Sequence, residues 1–135
     1  MIKYVAAYAA TAIVMVALDL LWLGVIARSV YRQGIGHLMA DQPNVPVAVL
    51  FYAVFALGLM FFAVAPHGTG ADWGKTIVAA ALFGFFAYAT YDLTHLATLK
   101  NWPTGVSRLD MAWGVVVSVA SASAGKAALD RFTTG

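Results

Sequence analysis

The sequence predicts an all-α membrane fold, a bundle of four membrane-crossing helices, and three observations carry the prediction. Hydrophobic residues fill 62% of the 135 positions and charged residues only 10%, whereas a soluble domain carries about 25% charge. Four long apolar runs, at about 4–27, 46–65, 76–99 and 107–129, use up nearly the whole chain, and about 20 apolar residues cross a bilayer as a helix. Breakers separate the runs: Gly34, Gly36 and Pro43, then Pro66, Gly68 and Gly70, then Pro103. A single integral membrane domain over residues 1–135 follows, with nothing left for a separate soluble domain.

Composition also removes whole classes of chemistry. Cysteine is absent, so disulfides, thiolate metal sites and thiol catalysis are excluded. The net charge of +2 comes without any basic run, which gives no case for a nucleic-acid partner or a polybasic lipid patch. Glutamate is absent too, and the six acids are Asp19, Asp41, Asp72, Asp92, Asp110 and Asp130.

The first run is uncharged until Asp19 interrupts it, and its length and that aspartate make it a retained helix rather than a cleaved signal. Arg28 and Arg32 follow at i,i+4 spacing, as a stop-transfer flank beside lipid headgroups. Beyond them the glycines and Pro43 predict a loop with one interfacial turn. The second run is the plainest, with no charge and five aromatics including Phe51, Tyr52 and Phe55. It reads as scaffold and lipid-facing surface, ended by Pro66, Gly68 and Gly70, with His67 in the turn. The third run opens after Trp73 and Lys75, an interfacial aromatic beside a snorkelling base. It closes on Lys100, Asn101, Trp102 and Pro103 as cap, interface anchor and stop. The short link makes runs three and four an antiparallel hairpin. Gly114, Ser118, Ser121 and Gly125 suit the fourth helix to close packing. Ser107 and Asp110 have capping-box spacing, which is one reading of Asp110.

Antiparallel threading places the ends of helices one and three and the start of helix four on one side, with both termini on the other. At 1.5 Å per residue, Asp19, Asp92, His95 and Asp110 then share roughly one 10 Å layer of depth. Asp92 and His95, three apart, lie within roughly 5–6 Å at Cβ on a helix. A charge at mid-membrane costs about 2.5–3.5 kcal/mol on the insertion scale, so these acids are expected to turn inward and converge. Arg28, Arg32, Lys100 and Arg108 flank the same side, and no acid is expected within a span in the opposite half. Lys3, Lys75, Lys126 and Arg131 flank the other side, so counting bases ties; Arg28 and Arg32 against Lys3 lean loops one and three toward the cytoplasm. An echo between DLLWLG at 19–24 and DLTHLA at 92–97 fits two related helical hairpins.

Three carboxylates and an imidazole admit several tasks. They could hold a divalent metal, with Asp92 and His95 as candidate ligands. They could act as acid and base, with Asp19, Asp92, His95 and Asp110 as the catalytic candidates. They could relay protons, or pair with arginines in a purely structural network. A D-x-x-H pair without Cys or a second intramembrane His argues against zinc or haem, and no cofactor is predicted. The surrounding candidates for a polar or headgroup-binding pocket are Trp22, Arg28, Arg32, Tyr91, Lys100, Asn101, Trp102, Arg108 and Trp113.

YDLTHLATLKNWP at 91–103, with DLLWLG at 19–24 and DMAWG at 110–114, resembles the small bacterial integral membrane proteins grouped as the domain of unknown function 2177 family. The resemblance covers essentially the whole chain. It implies a helical, multi-pass protein of the bacterial inner (plasma) membrane and implies no activity. The aspartates and Trp102–Pro103 match the family pattern. Asn is usual there where this chain has His95, which argues against histidine as an essential catalyst. A likeness to proteins found beside lipid-modifying enzymes implies a lipid-related role by association alone.

Two functions are expected on this basis. One is a lipid-handling protein, with or without catalysis, whose pocket takes a membrane lipid's headgroup. The other is a non-catalytic accessory or assembly subunit, in a homo-oligomer or with a partner membrane protein, whose polar network only holds helices together. A proton or small-solute transporter is a third, and would need an oligomer.

Overall fold

The computed structural model describes residues 1–67 and 72–134, and no strand occurs among them. Helix α1 spans Ile2–Leu21 and continues into a π-helical turn at Trp22–Ile26. A short helix α2 spans Arg28–Ile35, followed by a 3-10 turn at Gly36–Leu38. Helix α3, Val45–Leu59, runs through a π turn at Met60–Val64 and a 3-10 turn at Ala65–His67. Helices α4, Gly74–Thr98, and α5, Thr104–Thr134, complete the chain. Four of these segments are long and apolar enough to cross a membrane, namely Ile2–Ile26, Val45–His67, Gly74–Thr98 and Thr104–Thr133.

Local chemistry explains the boundaries. Asn44 caps α3, its Oδ1 accepting from the Val47 N–H at 3.3 Å, and Pro46 occupies the first turn where no N–H is missed. Helix α4 stops where Leu99 turns extended. Asn101 then takes a left-handed φ of 60° that asparagine tolerates better than most residues. Inside the helices, threonine hydroxyls donate to carbonyls one turn back, as Thr11 to Ala7 at 2.8 Å and Thr90 to Phe86 at 2.6 Å. These threonine hydroxyls are thereby satisfied within their own helices, as a lipid surround favours.

Helix α5 is the hub. It packs along both α1 and α4, while α3 leans on α1 and, through its π turn, on α4. Close approach rests on glycine. A side chain at Gly84 would run into the Gly114 carbonyl and Ser118, and one at Gly114 would run into the Tyr88 ring. A side chain at Gly125 would run into Thr11 of α1. Between these contacts lies an apolar core that includes Ala7, Met15, Leu59, Val64, Ala80, Val117 and Leu129. The outer faces of α1 and α3, with Ile13, Val47, Leu50, Val54 and Phe61, are exposed and apolar, as lipid contact requires.

Four local expectations change. The stretch after α1 is a helix rather than a loop, because Ala27, Tyr31 and Ile35, each four residues apart, share a face that packs with Val106 of α5. Ser107 does not cap α5, which already begins at Thr104, so Asp110 is no part of a capping box. Trp102 is no exposed interface anchor; it is buried, and its Nε1 donates to Ser107 Oγ at 2.8 Å. Lys126, counted among the bases flanking the opposite side, is not an exposed flank either. Helix α5 runs past residue 129, so Lys126 is fully buried, with Nζ 3.5 Å from Asp130 and 5.3 Å above the Trp73 ring centre. That ion pair puts an acid at the end of α5 where the opposite half was expected to hold none. Gly68 and Gly70, read as the stop of the second helix, lie outside the described residues.

Candidate functional site

The ends of α1 and α4, the starts of α3 and α5, and helix α2 enclose a cavity of about 680 Å³. Asp19, Asp92 and Asp110 all line it. An aromatic wall surrounds them, with Trp22, Tyr31, Phe51, Tyr52, Phe55, Tyr88, Tyr91, Trp102 and Trp113. Arg28 and Arg32, exposed on α2, line the same cavity from its outer edge.

Each aspartate has a different standing. Asp19, buried on α1, is fully engaged: Trp113 Nε1 donates to Oδ1 at 2.7 Å and the Tyr52 hydroxyl to Oδ2 at 2.7 Å. The carboxyl thereby ties α1 to α5 and α3. Asp110 accepts from the Tyr31 hydroxyl at 2.7 Å, and that hydroxyl accepts from Trp22 Nε1 at 3.1 Å. Trp22 in turn stacks on Trp113, ring centres 4.4 Å apart and planes 2° from parallel. One connected web therefore locks α1, α2, α3 and α5 around the cavity. Burial pushes the Tyr31 phenol above the ordinary tyrosine range, the Trp22 N–H opposing and the Asp110 carboxylate adding to the shift. Tyr31 stays a donor throughout.

Asp92 is the exception. Its side chain is completely buried, and neither carboxyl oxygen has a hydrogen-bond donor among the described groups. Its polar neighbour is the Asp110 carboxyl, another acceptor, so the two bond to each other only when one carries a proton. The backbone beneath it is held firmly: Ser107 Oγ, which accepts from Trp102, donates to the Asp92 carbonyl at 3.4 Å. A buried acceptor left open costs about 1–3 kcal/mol, more for a charged one. Native structures keep such groups rarely, and a ligand site is one established reason.

The remaining sequence candidates divide cleanly. Trp22, Arg28, Arg32, Tyr91, Trp102 and Trp113 line the cavity, whereas Lys100, Asn101 and Arg108 are exposed and outside the lining. His95 does not line it. Its ring packs between Tyr91, at 4.1 Å between centres, and Trp102, at 4.7 Å, with Nδ1 buried and unbonded. Three residues advance a helix by 300°, and here that 60° offset turns Asp92 to the cavity and His95 to the aromatic pair. Among the described residues no group of three or more His, Cys, Asp or Glu side chains is arranged to hold a metal. Asp92 and His95 do not converge on a common point in the cavity. No aspartate pairs with Arg28 or Arg32 by any ion pair described; tyrosine and tryptophan serve instead. Tyr31, Tyr52 and Tyr88 are the polar lining residues that sequence reasoning did not single out as site candidates. Tyr52 had a readable signal, since it sits early in the second run at the depth of Asp19.

A family model described as a predicted membrane protein, DUF2177, matches residues 4–127. No curated protein and no solved structure matches.

Proposed function

We propose, for a chain that belongs to the DUF2177 family of predicted membrane proteins and is therefore a multi-pass membrane protein, that its cavity binds the headgroup of a membrane lipid. The observation that carries this reading is Asp92, buried and donorless on the wall of a cavity with two arginines at its edge. A ligand with hydrogen-bond donors supplies what the bundle does not. The aromatic lining offers an apolar body to the rest of an amphiphile, and Arg28 and Arg32 offer charge to a phosphate. The membrane is the bacterial inner membrane in this reading. The cavity end faces the cytoplasm in the same reading, because Arg28 and Arg32 outweigh Lys3 around the first span.

A second reading, an accessory or assembly subunit with a structural polar network, is favoured by Asp19 and Asp110, whose bonds join helices. It leaves Asp92 without a role. Mass spectrometry of lipids co-purified with the wild type and with Asp92→Asn separates the two. The binding reading expects a bound lipid that the variant loses while still folded. Identical lipid profiles from two folded proteins would support the structural reading instead.

A further inference from the structure

We propose that the headgroup taken by this cavity is a phosphate diester bearing a primary ammonium, as in an ethanolamine phospholipid; the inference rests on the lipid-binding reading above. The cavity is electrically divided. Its edge carries Arg28 and Arg32 on the exposed face of α2, and its interior carries Asp92 beside Asp110. The interior thus presents acceptors and the edge presents donors. A purely anionic headgroup would meet the arginines but bring negative charge toward Asp92 and Asp110. A zwitterion satisfies both ends, with its phosphate on the guanidinium groups and its cation on the carboxyls.

The kind of cation follows from hydrogen-bond supply. Both Asp92 oxygens lack donors, Asp110 has one from Tyr31, and Asp19 already has two. The vacant acceptors therefore belong to Asp92 and the free lone pairs of Asp110. A primary ammonium brings three N–H donors and can bond both carboxyls at once. A quaternary ammonium brings charge but no donor, and would leave Asp92 as unsatisfied as before. Charge-assisted bonds of this kind are about twice as strong as neutral ones, so selection between the two cations falls on Asp92.

Native mass spectrometry of the purified, delipidated protein tests this, with dioleoyl phosphatidylethanolamine, phosphatidylcholine and phosphatidylglycerol titrated separately and phosphoethanolamine added as a soluble competitor. The ethanolamine lipid is expected to bind at least about tenfold more tightly than the choline lipid, the scale of one charge-assisted hydrogen bond. Asp92→Asn should erase that preference, and a combined Arg28→Gln and Arg32→Gln variant should weaken both zwitterions alike. Equal affinity of the wild type for ethanolamine and choline lipids overturns the inference while leaving lipid binding intact, and needs no variant to fold. Binding of none of the three overturns the lipid reading itself. Competition by phosphoethanolamine at the lipid's own affinity overturns the lipid as source and assigns the site to the soluble zwitterion.

Discussion

Replacing Asp92 by Asn should leave the empty protein as stable as the wild type or stabilise it, while the same change at Asp19 should destabilise it. The contrast comes from their partners. Asp19 accepts two bonds at 2.7 Å, from Trp113 and Tyr52. An amide there offers only one acceptor oxygen, which the indole N–H must take because it cannot accept, so the Tyr52 hydroxyl loses its acceptor and both bonds lose their charge. With bonds to a charged group contributing about 1.5–3 kcal/mol each, Asp19→Asn should cost about 3 kcal/mol. At Asp92 no donor is lost, because none is present. An Asn there turns a carboxyl oxygen into a donor beside the Asp110 carboxyl and recovers part of the roughly 1–3 kcal/mol that an open acceptor costs. The two variants should thus differ by about 4 kcal/mol, or about 14 °C in midpoint for a chain of this size. Thermal unfolding in detergent after delipidation, followed by circular dichroism, measures the gap. Equal losses for both variants would refute the reasoning, for they would mean that Asp92 is satisfied inside the bundle and holds it together.

Three further outcomes follow from the same geometry. Gly84→Ala should cost about 1–3 kcal/mol, since its Cβ meets the Gly114 carbonyl, whereas Gly24→Ala, with nothing within 4 Å, should be near neutral in the same unfolding assay. Trp113→Phe loses the Asp19 bond and part of the Trp22 stack, so it should cost about 2–4 kcal/mol and abolish the near-ultraviolet dichroism of the tryptophan pair. The folded state holds the Tyr31 proton more tightly than the unfolded state does. That contribution to stability is present below pH of about 10 and is lost as pH rises beyond it. Tyrosinate absorbance at 295 nm near pH 10 should be the same for folded wild type and folded Tyr31→Phe, and larger by one phenol in wild type once both are unfolded.

The four spans were legible because membrane helices announce themselves by length and hydropathy, and the shared depth of Asp19, Asp92 and Asp110 was legible from rise per residue. Rotation was not. Whether His95 followed Asp92 into the cavity depended on 60° of helix phase, which the packing of Tyr91 and Trp102 decides. Tyr52 looked like lipid-facing surface because an apolar run hides which of its aromatics reaches a carboxyl on a helix far away in sequence. Tyr31 was lost with α2, whose two turns were masked by Gly34 and Gly36. Lys126 shows the converse limit. A basic residue near a helix end reads as a flanking charge, and only the depth of α5 and the position of Asp130 reveal it as a buried pair.

The most direct test of a headgroup at Asp92 is a solid-state NMR distance. The protein, labelled with 13C at aspartate carboxyls, would be reconstituted with phospholipid carrying 15N in its ethanolamine headgroup. Rotational-echo dephasing should reveal a carboxyl carbon within about 4 Å of the headgroup nitrogen, the separation of a direct hydrogen bond, and Asp92→Asn should remove it. Absence of dephasing in wild type, under conditions where the lipid remains bound, would contradict the account and place the lipid elsewhere on the bundle.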